Sequence, residues 1–454
     1  MKNDLERDLG LYATVTISMG AMIGSGIFVL PALGLNKAGP AVILAYILAG
    51  LVVLPAALSK AEMATAMPES GGTYLYIDRA MGPLAGTVAG IGAWFSLVFK
   101  SSFALVGLGA YLLLLVPLSS GLVKAVALGL AALIVVLNVV GTEQSGKAQS
   151  IIVTAVVVAL AAYVLNSGVA IEPARFQGFA EKGTGGVVTA AAFVFVSYAG
   201  VTKIASVAEE IEDPDRNLPL GILISMGVMM VLYTLVVAAV VGLNDPAALS
   251  TSGPGDGPSL TPMADGAGQL LGGFGVVVIA VVAILALTSM ANAGVLASSR
   301  FPLAMSRDSL APGRLARVSE RFKTPLNAIL LTGGLLLLLI AFVDVVDLAK
   351  LASAFQILVF SIVNVALIVF RTSDVDSYQP SFHSPGYPFV QIAGVVGGFG
   401  LLTQMGTLPI LGAAGIIVGG VTWYLAYGRS RTNRDGALGT ILARRREEEP
   451  VTSD

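Results

Sequence analysis

Apolar runs long enough to cross a bilayer recur along the whole chain and leave few folds open. Ala125 to Val140 and Leu330 to Val343 are apolar almost all the way round a helix. That pattern fits neither the two-residue alternation of a barrel strand nor the one-sided stripe of a water-facing helix. A helical span takes about 20 apolar residues, at about 1.5 Å each, to cross about 30 Å of hydrocarbon. Hydrophobic residues make up 56% of the 454 and charged residues only 12%, where soluble domains carry about a quarter charged. Most of the chain therefore belongs in lipid, and the expected fold is all-α with about twelve transmembrane helices.

Runs bounded by Gly, Pro and charge place helices at 11–35, 40–65, 83–116, 121–141, 147–169, 186–211, 219–243, 267–299, 326–345, 347–371, 388–407 and 409–427. An even number of spans puts both ends on one side. Basic residues decide which side: Lys2, Arg7, Arg79, Lys147, Arg216, the group Arg307 to Lys323 and the tail from Arg429 to Arg446 fall together, against Lys37, Lys124, Arg175, Lys182 and Lys350 opposite. By the positive-inside rule both termini are expected in the cytoplasm and the protein in the cell membrane. The first apolar run carries no small-residue cleavage site and is expected to stay as a helix. Residues 1–10 form a short charged tail, and 428–454, with Arg444 to Arg446 followed by Glu447 to Glu449, reads as disordered. The Gly-, Pro- and Ser-rich stretch from Asn244 to Gly268, including Gly255-Asp256-Gly257, reads as a linker.

Several function classes drop out on composition. A net charge of -2 offers nothing to nucleic acid. With no cysteine, and the lone His383 in a polar loop, no disulfide, thiolate or zinc chemistry is visible, and no cofactor is expected beyond a coupling sodium ion or proton. Nothing resembles the nucleophile, base or metal set of an enzyme. Oligomeric state is left open.

Two spans are weakened in mid-membrane. The first holds Gly20, Gly24 and Gly26 around Ile23 and Ser25; the sixth holds Phe195-Val196-Ser197-Tyr198-Ala199-Gly200. Each Gly costs about 1 kcal/mol relative to Ala inside a helix, so unwinding there is cheap. Unwound backbone in hydrocarbon persists only where it lines a cavity or meets a ligand. The amides opening a half-helix suit a carboxylate and freed carbonyls suit an ammonium, so one such place reads both poles of a zwitterion. Close helix packing through Gly20 and Gly24 is the plainer alternative. The two breaks open corresponding sets of five helices, 11–169 and 186–371, with 388–427 as two added helices, which is the layout of an inverted repeat.

Gly24-Ser25-Gly26-Ile27-Phe28, Pro68-Glu69-Ser70-Gly71-Gly72-Thr73-Tyr74, Val207-Ala208-Glu209-Glu210 and Pro214-Asp215-Arg216-Asn217-Leu218-Pro219 together resemble the amino acid, polyamine and organocation transporters, in order and spacing over about residues 8 to 371. The resemblance implies alternating access on a five-plus-five inverted repeat. It also implies an amino acid held by Ile23, Gly24, Ser25 and Gly26 of the first helix with Phe195, Ser197 and Tyr198 of the sixth. Relatives often carry a Lys in the fifth helix, ten residues after a Gly corresponding to Gly146; here the position is Val156, so that form of proton coupling is in doubt, and sodium coupling, proton coupling through Lys100 or Lys203, and exchange stay open.

Lys100 lies about 22 Å along its helix, near mid-membrane, on a stripe with Gly92, Ser96, Phe103 and Gly107. An ionisable residue at that depth marks a functional site by default: it either faces an acidic or neutral solute or carries a proton, unless it is satisfied by carbonyls or snorkels. Lys203 is a second candidate, with Glu62, Glu209 or Glu210 as structural partners instead. Thr288 and Ser289, with Asn292 a turn on, are candidate ligands for sodium, against the alternative of bonding to the preceding turn. An anion pathway lined by Lys100 and Lys203, or a sensor that binds amino acids without moving them, are the competing classes.

Overall fold

The computed structural model describes residues 9–67, 72–116, 119, 122–141, 146–253, 256–373, 375, 378–432, 434–439 and 441. The opening tail before Leu9, Pro68 to Gly71 of the second motif, Gly255 and the charged run Arg444 to Glu449 lie outside them, as do the side chains of Lys147, Val207, Glu209 and Glu210.

The chain is helical throughout, and the described residues hold no strand beyond one isolated bridge between Leu9 and Ile211. In chain order the helices are α1 (Leu11–Met22), α2 (Ser25–Phe28), α3 (Leu30–Ala38), α4 (Val42–Ala66), α5 (Gly72–Met81), α6 (Pro83–Leu113), α7 (Val123–Val140), α8 (Gly146–Ser167), α9 (Gly183–Val194), α10 (Pro214–Leu243), α11 (Pro246–Thr251), α12 (Pro262–Arg307), α13 (Leu326–Phe342), α14 (Val345–Ser373), α15 (Phe389–Thr403) and α16 (Thr407–Trp423). A long 3-10 stretch, Phe195–Glu210, follows α9 directly. Among the described residues nine helices are long and apolar enough to cross a membrane, and the shorter apolar α1, α13 and α15 stand where three further spans are expected.

Local chemistry sets the boundaries. Proline at the first turn opens α6, α10, α11 and α12, where its missing N–H costs nothing. Gly141 closes α7 in the left-handed conformation, its N–H returning to the Leu137 carbonyl. Two helices depart from expectation. The segment 72–81, read as part of a connection, is the helix α5, and α12 runs well beyond 267–299 at both ends, with Gly272 (φ 58°) interrupting it near the start. The expected linker also contains α11.

Burial sorts the bundle into an inner and an outer set. In their apolar windows α14 and α6 are 83% and 78% buried, whereas α7 and α8 reach 33% and α16 only 22%. Large apolar side chains crowd the outside, among them Leu133, Val158, Leu165, Phe342 and Leu411. An apolar outer surface on this scale is stable facing lipid and not water. The inner set, α1 to α4, α6, α9, the 3-10 stretch, α10 and α14, surrounds the two breaks.

The tail read as disordered from 428 onward is in part folded. Ala437 is buried, and Arg434 bonds to the end of α12. A few specific contacts hold it, which composition alone does not reveal.

A candidate solute site at two interrupted helices

The first span breaks at Ile23 and Gly24. Ile23 turns extended (ψ 120°) after its N–H closes on the Met19 carbonyl at 2.8 Å, and the helix resumes at Ser25. The sixth span loses its α-helical register at Phe195 and tightens into the 3-10 stretch. The two breaks cross at backbone contact. A Cβ on Gly26 would sit 2.7 Å from the Cβ and Oγ of Ser197, one on Gly200 would overlap the Ala21 carbonyl, and one on Gly24 would strike the Met290 sulfur. These glycines make room for a crossing, beyond easing a distortion.

The carbonyls released by the break are met by side chains from several helices. Lys100 Nζ donates to Ala21 (3.2 Å), Tyr233 to Met22 (2.7 Å), Tyr46 to Gly26 (2.6 Å) and Tyr111 to Phe28 (2.8 Å), while Ser197 Oγ reaches Gly26 at 3.4 Å. On the sixth span, Ser353 of α14 bridges the break by donating to the Phe193 carbonyl (2.8 Å) and accepting the Val196 N–H (3.2 Å). Buried backbone polar groups in a membrane need such partners, and hydroxyls on neighbouring helices supply them.

Two hydroxyls at the crossing are left over. Ser25 Oγ and Tyr198 OH are buried, and neither has a partner among the described residues. Tyr198 packs against Tyr233 (centroids 5.2 Å apart), which packs edge-on against Tyr46. Leaving a buried hydroxyl unpaired costs about 1–3 kcal/mol, which sets these two apart from the bonded hydroxyls around them.

The candidate residues fall out as follows. Ile23, Gly24, Ser25, Gly26, Lys100, Phe195, Ser197 and Tyr198 are all buried, on or beside the crossing. Phe195 leans away from it onto Phe360 of α14 (5.9 Å, 64°). Lys203 donates to the Ala293 carbonyl of α12 at 3.1 Å. Its suggested partner Glu62 is taken: Arg371 holds both carboxylate oxygens at 2.8 and 2.6 Å, and Tyr378 and the Ser384 N–H add two more bonds. Lys100 and Lys203 thus rest on carbonyls, with no carboxylate partner among the described residues.

Thr288 and Ser289 part company. Thr288 is exposed on the outer side of α12, which removes it as a ligand for an ion inside the bundle, because adjacent helical residues point about 100° apart. Ser289 is buried and donates to Gln149 Oε1 of α8 at 2.8 Å, and Asn292 accepts from Asn138. A cavity of about 10 Å³ lies here, lined by Gly20, Ile23, Gln149, Val156 and Ser289 among others, with room for one water-sized particle.

The sequence reading passed over the three tyrosines, Gln149, and Lys60, a buried lysine of α4 that donates to the Thr73 hydroxyl at 2.7 Å. The available signal is a polar tip inside an otherwise apolar span, the same signal that singles out Lys100.

A lipid-facing helical bundle whose first and sixth spans are interrupted where they cross is the architecture of a membrane transporter of small solutes, not of an enzyme. The chain belongs to the amino acid permease family, whose sequence profile matches residues 9–428. It is 30% identical to the branched-chain amino acid permease BcaP of Bacillus subtilis, over 95% of each chain. It is also similar to the methylthioribose transporter of the same organism (29%, 86% of each chain). A third relative is the mitochondrial cationic amino acid transporter 3 of Arabidopsis thaliana (27%, over 79% of this chain and 61% of that one).

Proposed function

We propose that this permease is a secondary transporter that carries amino acids through the cell membrane by alternating access, with both termini in the cytoplasm. The α-carboxylate and ammonium are read at the crossing of the two breaks, by the main chain of Ile23 to Gly26 together with the Ser25, Ser197 and Tyr198 hydroxyls. The observation that carries this is the pair of buried hydroxyls, Ser25 on the first broken span and Tyr198 on the sixth, that have no partner among the described residues. In alternating access one five-helix set rocks against the other about such a fixed site, and the inverted repeat supplies the two sets.

Lys100 and Lys203 bring two positive groups near the site with no carboxylate to offset them among the described residues. They disfavour a cationic solute, so the substrates are neutral or acidic amino acids; the branched-chain relative fits the neutral half of that range. Sodium coupling would use the Ser289 and Gln149 oxygens, the polar groups at the small and otherwise apolar chamber between α1, α8 and α12, and Val156 occupies the position where relatives often carry a titratable lysine. Titration of Lys100 or Lys203 is the competing route.

A competition panel of labelled amino acids with purified protein in liposomes, run with and without sodium and a pH gradient, tests all of this. Uptake of leucine, alanine or glutamate that depends on sodium is the expected result. Preference for arginine or lysine would sink the substrate assignment, and dependence on the proton gradient alone would move coupling to the lysines. Binding of amino acids without any flux would make the protein a sensor.

A further inference from the structure

Within the chain's last described segment, one side chain makes a cluster of polar contacts to the bundle. Arg434, beyond α16, places Nη1 3.0 Å from Asp308 Oδ1 and 3.5 Å from Asp78 Oδ2, and its Nη2 donates to the Asp308 carbonyl at 3.3 Å. Tyr74 of α5 completes the cluster by donating to Asp308 Oδ2 at 2.8 Å. Asp78, on α5, is 2% exposed, and Asp308 follows the last residue of α12. Two residues past Arg434 the main chain lies flat on the turn between α5 and α6: a Cβ on Gly436 would stand 2.9 Å from the Ala80 carbonyl oxygen. Ala437 then buries itself. Beneath the cluster is a small apolar core of its own, Tyr74, Met305, Leu310 and Ala311, separate from the main one.

We propose that Arg434 is a positioning residue for transport: a clasp that holds the inner ends of α6, through α5, and of α12 at a fixed separation. It rests on the transporter reading above. The two helices it joins carry Lys100 and the Ala293 carbonyl that seats Lys203, and they run so close that a Cβ on Gly294 would strike Ser101 Oγ. One guanidinium between two carboxylates from different parts of the chain is a geometry that Arg, with its planar fork, fills and Lys does not. With the clasp closed, α6 and α12 move as one body and both lysines keep their anchors. With it open, the two anchors shift independently and the turnover step suffers, while the solute contacts at the crossing stay intact.

The absence of cysteine makes docking of the strap directly readable. In the full-length protein carrying Ala437→Cys, a maleimide should label the buried thiol slowly, and adding Arg434→Ala or Asp308→Asn should speed labelling at least tenfold. Leu438→Cys, half-buried beside it, serves with a smaller contrast if the first position disturbs folding. In liposomes, Arg434→Ala should lower the maximal uptake rate about tenfold with KM within twofold, and Arg434→Lys should recover only part of it. Labelling unchanged by Arg434→Ala overturns the clasp. So does a lower rate fully accounted for by less folded protein, which would place Arg434 in general stability, or a KM that rises as much as the rate falls, which would place it at the solute site. Because labelling needs no substrate, it stands even if the amino acid reading fails.

Discussion

Two regions of the bundle bury charge in opposite ways. At the inner end of α4, Glu62 is saturated: a bidentate Arg371, a tyrosine hydroxyl and a main-chain amide use up its carboxylate. At the crossing, Lys100 and Lys203 each rest on a single carbonyl, and two hydroxyls beside them have nothing. A buried polar group whose bonds are all made specifies one structure. One whose bonds are incomplete is kept at some expense to stability, and the proposed solute site would make use of it. The contrast predicts that disturbing the first region costs folding and disturbing the second costs transport.

Glu62→Ala should have the largest effect, removing about 3–5 kcal/mol of stability by leaving Arg371 unpaired; a thermal melt no lower than that of the parent protein would break the contrast at its structural end. Gly200→Ala comes next, since its methyl meets the Ala21 main chain, and overpacking of this kind costs about 1–3 kcal/mol. Uptake should fall at least about tenfold as the breaks are pushed apart. Ser25→Ala and Tyr198→Phe remove hydroxyls that bond to nothing in the protein, so melting should be unchanged or slightly raised while half-saturation rises roughly tenfold, the scale of one hydrogen bond. If both variants transport normally, the empty hydroxyls are not the recognition surface. Lys100→Met should tighten competition by arginine and lysine a few-fold without loss of folded protein.

The smallest effect concerns pH. Burial pushes the Asp78 carboxyl above its usual range, with Arg434 opposing. A carboxyl held high in the folded state contributes stability below the ordinary carboxylate range and loses it as pH rises through the raised value. Asp78→Asn should therefore flatten the dependence of melting temperature on pH in that window, and an unchanged pH profile would count against it.

The bundle was legible in the sequence because hydropathy and glycine placement act locally. A run such as Ala125 to Val140 can satisfy its main chain in lipid only as a helix, and Gly20, Gly24 and Gly26 advertise a weak point without reference to anything else. The burial of Lys100 was legible for the same reason, as a charge placed deep in an apolar span. What remained hidden depends on partners distant in sequence. Glu62 was a candidate for Lys203 until Arg371, 309 residues away, claimed it. Thr288 and Ser289 were indistinguishable because α12 is apolar on most sides, and only packing against α8 shows which hydroxyl faces in. The folded part of the tail was hidden likewise, since Arg434 reads as one more basic residue until Asp78 and Asp308 stand beside it.

The hydroxyls of Tyr46, Tyr111 and Tyr233 reach the first break from three different helices, α4, α6 and α10. Each is a swivelling donor on a rigid lever, able to let go of one oxygen and take a neighbouring one. Were these helices to slide past the first segment during transport, bonds would be traded singly, each worth about 1 kcal/mol net, in place of stripping the main chain bare in oil at several kcal/mol per group. The middle of the bilayer, ordinarily the stiffest place for a polypeptide to rearrange, would then act as a lubricated joint.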